Sequence, residues 1–377
     1  MILVMEPIFP NAHHAAVNAG MLRGILIAAG TEPVVFAAHP DHRAAVLDVL
    51  GPADPAQFST VDIDVREPGG VSFKRFMVQA RTILGLTRRL GARAVVCLGT
   101  TPEALFACRL LAMTQRSVRI IGVLHGNLDA ATGWRSRDPR RRWFDDRASL
   151  AVADHPAINL VAIEASIAHA AIAMGLVRQD RCHVWPLPIS EREVWEPTQL
   201  PDPKRIHIGF VGLGKRSKGF GDFLTLARHF MTTRDNYIFS HVGALYGEFL
   251  AEDLAFVDTT DGFLARREFL ERLHTVDYVC LPLKDKTYTL TASGALVDGI
   301  AALKPLIALS TPAIRDMFAD GPVGYLCDNI ADMTRVIQDA DMLADREKYE
   351  MFQSNLRRLR VKRLPSALAH AVGQALR

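Results

Sequence analysis

Residues 209–220 read GFVGLGKRSKGF. The run RIHI ahead of them is β-branched and strand-like, and DFLTLARHF after them has apolar positions at helical spacing. A strand therefore ends in glycines, Lys215, Arg216 and Lys218 follow within four residues, and a helix begins. Glycine permits tight turns and close approach of a ligand to the backbone. A helix start offers free N–H groups and the positive end of the helix dipole. Gly212, Lys215, Arg216, Lys218 and Gly219 thus suit a diphosphate. A solvated basic turn is the alternative, because two glycines with nearby lysines are a weak signal alone.

Working outward, apolar strand-like runs alternate with helical ones. MILVM precedes AAVNAGMLRGILIAAG, EPVVFAA precedes HRAAVLDVLG, and ARAVVCLG, PEALFACRLLAM and VRIIGVLHG follow. The stretch 196–204, EPTQLPDPK, holds three prolines and reads as a linker. The alternation then restarts with HIGFVG, YIFSHVG, LAFVD, YVCLPL, LIALS and GYLC as strands. This predicts an α/β protein of two facing, doubly wound (Rossmann-like) parallel-sheet domains. The expected boundaries are 1–195, a linker at 196–204, 205–350, and a basic terminal helix at 351–377 that crosses back to the first domain. Ligands of such sheets bind beyond the carboxyl ends of the strands, so the space between the two domains is the expected site.

The chain has 377 residues, which agrees with two domains. Its formal charge of +3 is too small for the dense basic face of a duplex binder, so no nucleic-acid partner is expected. Five scattered cysteines without a C-x-x-C pair predict neither disulfides nor zinc, and point to a reducing cytoplasm. MILVMEPIFPNAHH lacks a basic leading segment and reads as a first strand rather than a signal peptide. No run of about 18 uncharged apolar residues predicts a membrane span.

Other loops also follow strands. EPIFPNAHH ends in His13 and His14 just before a helix, where an imidazole titrating near neutrality can act as a general base. Capping or surface histidines are the alternative. In VCLGTTPEALF, Glu103 lies in a first helical turn, where an acid suits the dipole without any function. IIGVLHG ends a strand at His125. KDKTYTLTASGALVDG leads through Thr291 to Ser293 and Gly294 at a helix start, and Asp298 lies one turn inside, able to accept from sugar hydroxyls or to stand as an exposed acid. Residues 132–147 cluster arginines with Trp134, Trp143 and Phe144; with Asn18, Arg135 and Arg141 they are candidates for an anionic or lipid-linked acceptor, or a membrane headgroup. The tail 356–377 has cations between helically spaced apolar residues, which suits either packing or a membrane surface.

Val211-Gly212, Lys218-Gly219 and Lys304-Pro305-Leu306-Ile307-Ala308, in that order and spacing, resemble the nucleotide-sugar domain of GT-B glycosyltransferases, especially the retaining family 4. The resemblance covers 205–345. It implies a glycosyltransferase moving a sugar from a UDP- or GDP-linked donor to a hydroxyl acceptor, a bacterial cell-surface glycan or lipid-linked sugar, without a required metal, on the cytoplasmic side of a membrane. It implies that Gly262, Phe263 and Leu264 read the base, that Asp298 and Ser293 meet the donor, and that His125 touches sugar or acceptor. The family arginine falls on Leu213, so Lys215 or Arg216 must replace it, and the first family glutamate falls on Leu290 while the second is Asp298. His13 resembles the base of inverting GT-B enzymes. A nucleotide-sugar epimerase of the same shape and a non-catalytic glycan- or partner-binding scaffold are the alternatives.

Overall fold

The computed structural model describes residues 1–377 except 66–71, 126–127, 133–144, 195, 197–199, 261, 263 and 284–289; at 129–130 only the backbone is described. The chain divides into two compact units. Unit 1 comprises Met1–Arg192, Leu290–Ala292 and Arg363–Arg377, and unit 2 comprises Glu193–Thr289 and Ser293–Lys362.

Unit 1 is built on a seven-stranded sheet: β1 (Ile2–Met5), β2 (Val34–Ala38), β3 (Phe58–Asp62), β4 (Ala94–Cys97), β5 (Arg119–Leu124), β6 (Ile158–Ala162) and β7 (Cys182–Val184). Their order is β3-β2-β1-β4-β5-β6-β7, and all neighbours are parallel. Every residue of β1, β2 and β4 is buried. That is why these strands read as unbroken apolar runs: helices cover both faces of a parallel sheet, so neither face can be polar. The edge strand β3, FSTVD, is half exposed and mixed in polarity, and the sequence reading missed it. The amphipathic helix that follows, Phe73–Leu90, starts at Ser72, whose side chain accepts from Arg75 N–H.

The helix Pro365–Leu376 packs on Ala15–Ala29 within unit 1. Its apolar positions Leu368, Ala369 and Val372 are buried, and a Cβ on Gly24 would lie 3.0 Å from Leu368. This terminal helix is thus held by packing. It is also anchored by charge: buried Arg363 makes a bidentate pair with buried Glu164, 2.8 Å on each arm.

Unit 2 holds a five-stranded parallel sheet: β8 (Ile206–Val211), β9 (Tyr237–Val242), β10 (Tyr278–Leu281), β11 (Leu306–Leu309) and β12 (Gly324–Cys327), in the order β12-β11-β10-β8-β9. Its core is aromatic: Phe210, Phe220, Phe223, Phe230, Tyr237 and Phe239 are almost completely buried together. LAFVD is not a strand. Ala251–Leu254 is a short helix, and only Asp258 forms a bridge, to Ser240. All five cysteines are free thiols.

In both sheets the chain reverses its direction of growth once, between β1 and β4 in unit 1 and between β8 and β10 in unit 2. Ligands of doubly wound sheets bind at such points, because the crossover loops part there.

Candidate functional site

The stretch 212–219 leaves β8 at the reversal point of unit 2. Three loops crowd its backbone. A Cβ on Gly219 would lie 2.0 Å from the Pro282 oxygen after β10, and one on Gly243, after β9, 2.1 Å from the Gly212 oxygen. Both glycines have positive φ, 80° and 148°. No other residue type allows the three loops to meet this closely. Gly212 is held further by His241, fully buried, whose Nε2 lies 2.8 Å from the Gly212 oxygen. A carbonyl only accepts, so Nε2 carries the proton.

The cations stand on this frame. Residues 216–218 form one 3₁₀ turn, and Gly219 opens the helix Phe220–Thr233. The Lys215 ammonium lies 4.9 Å from the centre of the Tyr246 ring and the Arg216 guanidinium 5.2 Å from that of Phe249. Such contacts orient a cation without neutralising it. Lys218 is half-buried, and its pKa is lowered by burial and by the charge of Lys215. Among the described residues no carboxylate lies within salt-bridge distance of these three. Among the described residues, positive charge is gathered here, partly desolvated at Lys218, with no acid beside it, an arrangement suited to an anion.

The start of the helix Gly294–Ala301 adjoins this loop: a Cβ on Gly212 would meet that of Ala295 at 3.5 Å. Ser293 occupies the cap position, with no cap hydrogen bond from its side chain. Thr291 and Leu264 are partly buried, and Gly262 is exposed with φ 76°. Phe263 lies outside the described residues, as do 284–289.

Asp298 is already engaged. Arg266 donates to it at 2.8 Å and to both oxygens of Glu193 at 2.8 Å. Burial raises the Asp298 pKa and Arg266 offsets this only in part. Burial opposes the charge on Arg266, but Asp298 and Glu193 outweigh it and raise its pKa. The sequence reading named neither Arg266 nor Glu193; a single arginine in the charged run ARREFLERLH carries no mark of its partners.

In unit 1 the histidines after β1 and β5 come together. The His13 and His14 rings are 4.5 Å apart, and His14 and His125 are 5.1 Å apart. Phe9 lies against both members of the first pair, at 5.2 and 4.7 Å. His14 has φ 62°, the left-handed conformation, directly before the helix Ala15–Ala29. His125 is 9% exposed, and burial lowers its pKa to about 4, so it is neutral near pH 7. Its Nε2 has no hydrogen-bond partner and the ring borders a cavity of about 20 Å³, which also touches Thr100, Thr101 and Asp146. That volume holds one water. Burial raises Asp146 to about 6.

Asn18 corrects an expectation. It is completely buried, and its Nδ2 is engaged by Glu6 and His42, so it is not placed at the surface for an acceptor. Helical spacing could not show this, because Asn18 faces inward on a helix that also packs under the terminal one. Glu103 is also buried; it accepts from Ser72 N–H at 3.1 Å. Arg135 and Arg141 lie outside the described residues.

Among the described residues no three His, Cys, Asp or Glu side chains are grouped so as to hold a metal, and no helix is long and apolar enough to cross a membrane.

No family model matches the chain and no curated protein matches it in sequence. Solved structures do match along nearly its whole length. Anabaena HepE in complex with UDP and glucose is 12% identical, with all of this chain and 98% of that one covered, at a TM-score of 0.69. A glycosyltransferase from Rickettsia africae is 11% identical over 98% of this chain and 95% of that one, at 0.67. A Listeria monocytogenes protein assigned as a UDP-N-acetylglucosamine 2-epimerase is 12% identical over 98% and 93%, at 0.60. Identities this low carry the fold and not the reaction. Two parallel-sheet α/β units of seven and five strands, matched end to end by these structures, give the chain the GT-B fold.

Proposed function

We propose that the protein is a glycosyltransferase that moves a sugar from a nucleoside-diphosphate donor to a hydroxyl acceptor. The observation that carries this is the group Lys215, Arg216 and Lys218, unpaired with any described carboxylate, at the reversal point of unit 2 and beside a helix start. In this reading the three cations and the N–H groups at Gly294 hold the donor diphosphate. As the glycosidic bond breaks, negative charge grows on that leaving group, and fixed cations stabilise it without reorganising. No metal has a necessary role in this scheme. Gly262, Phe263 and Leu264 border the base.

The acceptor side belongs to the histidine cluster of unit 1. His125 is neutral at pH 7 with an unpartnered Nε2, so it can accept a hydrogen bond or a proton. His13 and His14 stand beside it. We assign the chemistry to the retaining type, on the order of motifs in unit 2, and the acceptor to a glycan or lipid-linked sugar of a bacterial surface. The Anabaena neighbour carries UDP and glucose, which supports a UDP-linked donor.

The test is incubation with a panel of UDP- and GDP-sugars, following nucleoside diphosphate release and the anomeric form of the freed sugar by NMR. Slow release supports transfer, with water standing in for the acceptor. Interconversion of sugars without release would instead make it an epimerase. Silence together with no thermal shift from UDP or GDP would overturn the reading. Lys218→Ala should weaken UDP binding by loss of a charge-assisted contact, about 1.5–3 kcal/mol.

A further inference from the structure

Three polar side chains lie completely buried beside the reversal point of the seven-stranded sheet. They are Glu6, directly after β1, Asn18 on the helix Ala15–Ala29, and His42 on the helix Pro40–Leu50. Glu6 Oε1 accepts from Ile8 N–H at 2.8 Å and Phe9 N–H at 3.3 Å, and its Oε2 accepts from Asn18 Nδ2 at 2.8 Å. The same Nδ2 lies 2.9 Å from His42 Nε2. At the far side His42 Nδ1 lies 2.6 Å from the Asn11 carbonyl oxygen.

The hydrogens can be placed from chemistry alone. The Asn11 carbonyl only accepts, so Nδ1 of His42 donates, and in the neutral ring Nε2 is then a lone pair. Burial lowers the His42 pKa and so favours that neutral ring. Asn18 therefore spends one amide hydrogen on His42 and the other on Glu6. Its own Oδ1 is left without a partner. A chain with an orphaned oxygen and a buried carboxylate, and no described cation beside it, contributes little as stabilisation.

Both ends of the chain grip the same loop, Ile8 and Phe9 at one end and Asn11 at the other. That loop carries the Phe9 ring that packs on His13 and His14, and it enters the left-handed turn at His14 that brings its ring to His125.

We propose that Glu6, Asn18 and His42 are positioning residues: a buried clamp that holds the loop Ile8–Asn11 and so sets where His13 and His14 stand relative to His125. Their effect on turnover rests on the glycosyltransferase reading; the clamp itself does not.

The test exploits the direction of the bonds. At pH 8, where Glu6 is a carboxylate, Glu6→Gln keeps an oxygen for Ile8 and Phe9 but turns an NH₂ toward the NH₂ of Asn18, so two donors meet. Glu6→Gln/Asn18→Asp restores the match: the amide introduced at position 6 donates to the carboxylate introduced at position 18, which also accepts from a His42 protonated on both nitrogens. The readouts are the imidazole resonances of His13 and His14 in the full-length protein, shifted by the Phe9 ring, the thermal shift given by UDP, and hydrolysis of whichever sugar nucleotide the wild type cleaves. We expect the single variant to move both imidazole resonances, keep the UDP shift, and lower kcat at least 10-fold with KM within twofold. The double variant should return the resonances toward wild type and recover at least half of the lost rate on a logarithmic scale. Unmoved resonances in the single variant, or no recovery in the double, would overturn the clamp. Should Glu6→Gln fail to fold, His42→Phe removes the Asn11 anchor and the acceptor of one Asn18 amide hydrogen while leaving the Glu6 contacts to Ile8 and Phe9, and must move the same resonances. A wild type that cleaves no sugar nucleotide and gives no thermal shift with UDP or GDP sinks the glycosyltransferase reading, and the resonances still decide the clamp.

Discussion

Gly219 and Pro282 stand so close that a Cβ on the glycine would lie 2.0 Å from the proline's carbonyl oxygen. That approach joins the loop after β8 to the loop after β10. With φ at 80°, Gly219→Ala meets both a left-handed backbone, worth about 1–2 kcal/mol, and a backbone clash that no rotamer relieves. We expect a loss of stability above that figure in urea unfolding, with UDP binding lost as the loops separate. An alanine variant as stable as wild type would show that the loops do not meet this way.

Lys218 is partly desolvated, and burial and the charge of Lys215 lower its pKa. Its lowered pKa means the unfolded chain holds the proton more tightly, so folding bears the cost at neutral pH and is relieved only as pH rises through the folded value. Lys218→Met should therefore raise the melting temperature of the free protein at pH 7 and weaken UDP binding at least 10-fold. UDP affinity of the wild type should also fall with rising pH before the ordinary lysine value of about 10.4. Calorimetry across pH checks both.

Arg266 joins Glu193 and Asp298, and its removal leaves two carboxylates facing each other. Deleting one partner of a buried pair costs about 3–5 kcal/mol; a side chain 33% exposed belongs at the lower end. Arg266→Ala should be destabilising to that extent, and Glu193→Gln much less so, since Asp298 still pairs. A double-variant cycle measures the difference.

Glu6 predicts a slope of stability with pH. Burial, opposed by its hydrogen bonds, raises its pKa from about 4.5 to about 7. Between those values the folded protein keeps a proton that the unfolded chain has released, so stability falls as pH rises from about 4.5 to 7, by about 3 kcal/mol in all. The Cys97 thiol also faces Glu6 and stays protonated in this window, its own pKa being raised. His42, reached through Asn18, has a lowered pKa and gives the opposite slope below its ordinary value. Subtracting the urea midpoints of Glu6→Gln from those of wild type isolates the Glu6 part. A flat difference from pH 5 to 8 would show that the carboxylate is not so buried.

Much of this was legible in the residues. Unbroken apolar runs such as MILVM and EPVVFAA announce parallel strands, because both faces of such a sheet are covered, and the glycines and cations of 209–220 marked the loop that leaves β8. Strand β3 was missed because an edge strand is half exposed and need not be apolar, and LAFVD was over-read because apolar residues under a short helix look the same as a strand. What only the tertiary structure decided was partnership. Asn18 as a buried link rather than a surface contact, Arg266 across 73 residues to Glu193, and Arg363 across 199 to Glu164 depend on which elements pack together. Periodicity reports how a segment meets its own neighbours along the chain; a hydrogen bond between distant segments leaves no period, and is set only when each unit packs its own elements together.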